Sequence, residues 1–318
     1  MGALSNQMLV VTILGYTLAM MAYAVEYAFG GRSPVARVAT RQLVGAGARV
    51  EPVDEPPPAD VSGGSLGNAA RAGVAGVVLT LIGFAAHALA LVSRGVAAGR
   101  APWGNMYEFV MTATLVGMAV WLVVLARWPR LRHVGLFVAL VAAILLSIAG
   151  MVLYTPAGPL VPALHSYWLL IHVSAASIAS GVFLVGFVAA ALHLLRLGYD
   201  RGKRDFPYSL AARLPDAGTL ERLTFRVHAF GFPIWTFGVI CGAIWAEASW
   251  GRYWNWDPKE TWSFVAWVVY ACYLHARSTP SVSRRITSWV AVLGWVTMMI
   301  NLFAVNLFAN GLHSYAGV

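Results

Sequence analysis

Between Trp250 and Trp262 the chain reads WGRYWNWDPKETW, with Asp257, Lys259 and Glu260 threaded among Trp250, Trp254, Trp256 and Trp262. Indole faces make a platform for a large flat aromatic ligand, and their N–H groups keep a polar partner, which suits a water–lipid boundary. An ordinary aromatic belt has the same composition, so the loop alone leaves both readings open. Histidines add a second chemistry. His313 stands in GLHSY, His165 and His172 bracket HSYWLLIH, and His275 stands in YLHAR. Imidazole nitrogen is a common ligand of iron. A Trp surface, these histidines, and Arg252 or Lys259 as partners for carboxylates together suit haem, which is flat, apolar, doubly carboxylated and axially ligated. His172 and His313 are the pair to supply axial nitrogens from opposite sides. A b-type electron carrier would bury its histidines on facing helices and have no use for an open Trp loop. The arrangement points instead to haem displayed for handing on.

The elements that must position these residues are membrane helices. Of 318 residues 59% are hydrophobic and 11% charged, against roughly 25% charged in soluble domains. Eight apolar segments approach the ~20 residues that cross a hydrocarbon core of ~30 Å: Met8–Phe29, Ala72–Val92, Met106–Leu125, Gly135–Leu153, Tyr167–Leu195, Val227–Ala246, Trp262–Ala276 and Ile286–Leu307. The seventh is the shortest. The first has no basic residue before it, the earliest cation being Arg32, and is too long for a cleaved signal. The expected fold is all-α: a polytopic helical membrane protein of about eight transmembrane helices.

Of the 22 Lys and Arg, all but Arg94, Arg100, Arg252 and Lys259 fall in the loops after the first, third, fifth and seventh segments. Basic loops stay in the cytoplasm, so both termini, the Trp loop and the loop Tyr154–Ser166 face outward. The net charge of +9 is thus a topology signal, and nucleic acid is not an expected partner. Residues 1–29 form the first helix, and 30–71, which holds EPVDEPPPAD, reads as a disordered cytoplasmic linker. Residues 72–318 form the functional transmembrane domain. The 2 cysteines, Cys241 and Cys272, lie inside membrane segments and form no C-x-x-C pair, so any thiol chemistry belongs to another protein.

Depth sorts the remaining titratable residues. His275 lies about 20 Å inward from Trp262 if the helix is continuous, where an ionisable group is expensive without a function. His133, His193 and His228 read as cytoplasmic-end residues with capping or interfacial roles, and His87 as near an outer helix end. Glu26 fits either a functional carboxylate or a hydrogen-bonded structural one.

The Trp-rich stretch, preceded by CGAIWAEAS and followed by YLHAR, resembles the WWD motif of CcsA/ResC-type proteins of System II cytochrome c biogenesis. WLLIHV around His172, GLHSY around His313 and PWGNMYE (Pro102, Asn105, Tyr107, Glu108) continue the resemblance, which covers roughly residues 80–317. Phe109 stands where relatives often have Ser. The resemblance implies that His172 and His313 ligate haem beside the loop and that His275 binds haem arriving from the inner side. It implies that Trp250, Trp254, Trp256, Asp257 and Trp262 form the haem-handling core; His165 is not secured by the motif and stands beside it as a supporting candidate. The implied cargo is haem b, delivered across a bacterial plasma membrane and joined on its outer face to the Cys-x-x-Cys-His motif of an apocytochrome c. The implied partners are a CcsB/ResB-type membrane protein, a thiol-reducing thioredoxin-like protein and membrane lipid, the chain being one subunit of a cytochrome c synthase (haem lyase) complex. No residue stands out as an acid–base catalyst. A polytopic transporter of another amphiphile and a non-catalytic assembly scaffold are the competing classes.

Overall fold

The computed structural model describes residues 1–30, 63–160, 164, 166–309 and 311–313. Most of the expected linker, His165 and Val318 lie outside these residues. Among the described residues the chain is helical, without strands: α1 Gly2–Phe29, α2 Gly63–Ala98, α3 Met106–Arg127, α4 Gly135–Val152, α5 Tyr167–Asp200, α6 Ala217–Trp250, α7 Pro258–Ser278 and α8 Arg284–Phe308. Lipid offers no partner to an open N–H or C=O, so a crossing segment must satisfy its backbone internally, as these helices do. Where they meet water, polar side chains cap them. Asn105 accepts from Glu108 N, Ser166 from Trp168 N, Asp216 from Thr219 N, Asp257 from Lys259 N and Ser283 from Ile286 N.

Seven of the eight helices are long and apolar enough to cross a membrane. The other is α7, whose 21 residues reach about 31 Å at the helical rise but carry Lys259, Glu260 and Arg277. Its packing settles its course. Along the α6–α7 hairpin Trp235 meets Ser263, Trp267 meets Thr236, His228 meets Tyr270 and Tyr273, and Arg277 meets Glu221. That antiparallel pairing, from Trp235 beside Ser263 to Glu221 beside Arg277, runs α7 back along α6 within the bundle. Its buried stripe faces the bundle, which relaxes the demand on overall apolarity.

α5 is the most enclosed helix, packed against α3, α6 and α8, while α1 lies on α2 and α4. α2 begins at Gly63 rather than Ala72, taking over the end of the expected linker. The α5 and α6 helices run past their apolar cores, to Asp200 and back to Ala217. His193 and His228 are therefore interior residues. His193 Nδ1 meets Ser288 Oγ at 2.6 Å, His228 Nδ1 donates to the Thr224 carbonyl at 2.7 Å, and His133 is buried beside Tyr27. His87, also buried, meets Tyr16 Oη. Glu26 pairs with Arg132 at 2.5 Å, the structural alternative for that carboxylate.

Reporter domains fused at Ala248 and at Val318 are expected to be active only on the outer side. A cytoplasmic signal from either would overturn the eight-helix topology.

Candidate functional site

The end of the bundle that carries the Trp loop is organised by two local structures. In PWGNMYE, Asn105 caps α3 and Glu108, fully buried, accepts from Arg94 at 2.9 Å, from Arg100 at 2.7 Å and from Gly104 N–H at 2.8 Å. Arg94 also reaches the Thr155 carbonyl and lies over the Tyr107 ring, and Arg100 reaches the Gly158 carbonyl. Two cations are thus spent inside, tying the α2–α3 turn to the loop after α4. Removing one member would strand a buried charge, which is why the element tolerates no half-measures.

The second structure is the Trp loop. α6 ends at Gly251 in a left-handed conformation (φ 72), and α7 starts at a capping box. In that box Asp257 Oδ1 accepts from Lys259 N–H, and Glu260 Oε2 accepts from the N–H groups of Asn255 and Asp257. Between them Trp256 is held at φ 57 with its ring 65% exposed. A non-glycine residue there costs about 1–3 kcal/mol and persists only where the surroundings impose it.

Asp257 does more than cap. Its Oδ2 accepts the Leu312 N–H at 2.6 Å, and its Oδ1 faces His313 Nδ1 at 2.9 Å. Burial pushes this carboxyl up, but the hydrogen bond and charge of His313, with the N–H groups of Leu312 and Lys259, outweigh it and hold the group below the usual carboxylate range. The carboxylate can only accept, so His313 carries a proton on Nδ1, and in its neutral form the lone pair lies on Nε2. The same logic holds on α5. His172 Nδ1 lies 2.7 Å from the Gly238 carbonyl, which also can only accept, so Nε2 again carries the lone pair. Glycine is required opposite: a Cβ on Gly242 would come within 2.6 Å of the His172 ring.

The two imidazoles share a neighbour. Trp245 of α6 lies parallel to His172 with centroids 6.1 Å apart and edge-on to His313 at 5.7 Å, while Trp250 packs on both Trp245 and His313. His172, His313, Trp245, Trp254 and Lys259 all line one cavity of about 1420 Å³, part of it open to solvent. Most of its remaining wall is apolar, with Phe109, Leu184, Trp235, Trp295 and Met298 among them, and Glu260, Ser263 and Asn301 add polar groups. A pair of orienting hydrogen bonds behind two imidazoles is the usual preparation of histidine for a metal. Two such nitrogens in an apolar chamber with one cation fit a flat, carboxylated metalloporphyrin.

The remaining expected site residues stand elsewhere. Trp256 forms an outer aromatic group with Trp254 and Phe264, and Trp262 is half-buried in the first turn of α7, neither lining the cavity. His275 sits in the last turn of α7, exposed on the outside of the bundle. Sequence reasoning missed Gly238, Gly242 and Asn301. Trp245 had a signal, its place in CGAIWAEAS.

A family model described as Cytochrome C assembly protein matches residues 103–313. The chain is 36% identical over 241 residues to the cytochrome c biogenesis protein CcsA of Guillardia theta, covering 71% of this chain and 80% of that one. It is 32% identical over 292 residues to CcsA of Gloeobacter violaceus, covering 74% and 86%. Among solved structures the cytochrome c haem lyase CcmF shares the fold, with a TM-score of 0.53 at 16% identity, over 95% of this chain and 46% of that longer one.

Proposed function

Because the chain belongs to the cytochrome c assembly family, as a CcsA-type integral membrane protein of cytochrome c biogenesis, we propose that it carries haem b to its outer cavity and presents it there for covalent attachment to an apocytochrome c. The observation that carries this reading is the pair His172 and His313. They come from separate elements, each with Nδ1 committed to an acceptor, and they face one apolar chamber. Their Nε2 lone pairs would hold the iron from opposite sides, and Trp245, Trp250 and Trp254 would pack around the macrocycle. Trp256 and Trp262 would serve at the rim. The functional domain is taken as 72–318, with α1 buttressing it.

The chemistry needs position more than acid–base catalysis. An apocytochrome Cys-x-x-Cys-His segment brings two thiols to the two haem vinyl groups. Each S–H adds across a vinyl C=C, sulfur bonding to one carbon and hydrogen to the other, and the incoming histidine replaces one axial ligand. Holding both partners in register supplies a large effective molarity. A CcsB/ResB-type partner, assigned by family likeness, would complete the synthase in a bacterial plasma membrane with the reaction on the outer face. A thioredoxin-like protein would keep the thiols reduced.

His275, exposed near the inner end of α7, suits a ligand shared with that partner, since a lipid-facing imidazole alone gains nothing. The purified chain with its partner is expected to show a haem Soret band and to form thioethers with an apocytochrome. His275→Ala should lower haem occupancy without changing the ligation spectrum of what remains. Absence of a Soret band would favour transport of another amphiphile, a Soret band without thioether formation would leave a scaffold, and normal loading of a folded His275→Ala protein would remove the inner ligand.

A further inference from the structure

The cavity wall carries two charged residues, Lys259 and Glu260, and among the described residues Lys259 makes no ion pair. Lys259 opens α7, yet its side chain turns into the bundle rather than to water and lines the chamber. Its Nζ donates to the Asn301 carbonyl at 3.1 Å and sits 3.8 Å from Met106 Sδ. An ammonium offers three donors and no acceptor, and a thioether is a weak partner, so one carbonyl is its only strong acceptor among the described residues. The carboxylates next to it in sequence are occupied elsewhere. Asp257 serves Leu312, His313 and the Lys259 backbone N–H, and Glu260 serves two backbone N–H groups of the loop. No described carboxylate lies within ion-pair distance of the ammonium.

α8 is shaped to reach this cation. From Ile300 to Ala304 it widens into a π-helical turn, a form that interrupts the ordinary backbone ladder and is frequent at functional sites. Asn301 sits in that turn. Its carbonyl goes to Lys259, its amide donates to Ser263 Oγ at 2.9 Å, and its Oδ1 is buried without a partner. Lys259 and Asn301 therefore make a small polar station in a wall otherwise built of Trp235, Trp295, Met298 and Leu302. A desolvated cation and an unmatched amide oxygen are costly alone. A ligand carboxylate relieves the first of these costs by accepting the ammonium's remaining N–H donors. Arg252, the other cation of the loop, does not line the chamber, and Arg94 and Arg100 are bound to Glu108.

We propose that Lys259, backed by Asn301, binds a propionate of the porphyrin inside the cavity and so sets which edge of the macrocycle faces out. This rests on the haem reading above. Propionates occupy one edge of haem and the vinyl groups lie away from it, so anchoring a propionate at the enclosed Lys259 turns the vinyl edge toward the mouth, where Tyr253 is 61% exposed. That is the orientation in which two thiols from solution can reach the vinyl carbons. Lys259 is then a positioning residue.

The test compares haem with its dimethyl ester, in which both propionates are neutral and esterified, on the full-length chain with its partner. The wild type is expected to prefer haem by ten- to a hundredfold, the range of a charge-assisted hydrogen bond. Lys259→Met should lose that preference while keeping the bis-histidine Soret position, and Lys259→Arg should keep it. Carbodiimide coupling of an amine to bound haem, read by mass on the extracted porphyrin, should modify one propionate in the wild type and both in Lys259→Met. Equal affinity of the wild type for haem and ester overturns the proposal and leaves the haem reading standing, and it needs no variant to fold. Preference retained in Lys259→Met overturns it as well. A wild type that binds neither porphyrin overturns the haem reading itself, and the proposal with it.

Discussion

Replacing His172 or His313 with Ala is expected to abolish holocytochrome formation while the folded protein stays in the membrane. Each variant loses an iron ligand, which should cost more than the roughly 10- to 100-fold in affinity that follows loss of a mere orienting partner. Stability should change little, because the two rings pack at the cavity wall and not in the central core around α5. Added imidazole should restore the Soret band in either variant by filling the vacated position, whereas a misfolded protein would not respond. His133→Ala serves as the comparison, since His133 lies at the inner side against Tyr27, far from this chamber. Normal holocytochrome levels in both outer variants would show that the bis-histidine assignment is wrong.

Asp257→Asn should approach the same loss although it removes no ligand. The carboxylate accepts on both oxygens: Oδ1 from His313 and the Lys259 N–H, Oδ2 from the Leu312 N–H. An Asn amide has one oxygen. Whichever way it turns, an NH₂ group meets an N–H donor, so either His313 or Leu312 is pushed off. Haem affinity should then fall by about 10- to 100-fold, with a spectrum of mixed or weakened axial ligation. The helix start is preserved where the amide oxygen keeps the Oδ1 place, because Asn caps as well as Asp. Asp257→Ala should add the loss of the cap, about 1 kcal/mol of stability, visible as a lower melting temperature in detergent. Wild-type haem affinity in Asp257→Asn would mean that His313 does not depend on this carboxylate for its orientation.

These expectations divide between what could be read along the chain and what could not. The all-helical membrane fold was legible because lipid imposes long apolar segments with internally satisfied backbones, and these are properties of contiguous residues. The distribution of Lys and Arg gives an expected orientation, which the reporter fusions test. The Trp loop and the outer histidines stood out because so much indole beside charge, and imidazole at helix ends, have few other uses. Even α7, the least apolar helix, could be placed within a few residues. The capping box of Asp257 and Glu260 was equally a matter of neighbours in sequence.

Helix rotation was different. In a soluble protein an apolar stripe tells which face points inward, but a membrane helix is apolar all round, and lipid-facing and bundle-facing sides read alike. Only the tertiary packing therefore decided that His275 faces outward while Lys259 faces the cavity, and that His193 and His228 are interior residues rather than caps. It also decided that Asp257 reaches across to His313, that the Gly238 carbonyl fixes the His172 tautomer, and that a π-turn in α8 brings Asn301 to Lys259. Each of these is a contact between segments far apart in sequence. Sequence by itself determined that this is a membrane protein carrying a Trp-rich loop and a set of histidines near its helix ends, because hydrophobicity and charge act locally. The three-dimensional fold decided which of those histidines share a chamber and which cation faces them, because that depends on how helices of uniform polarity turn against one another.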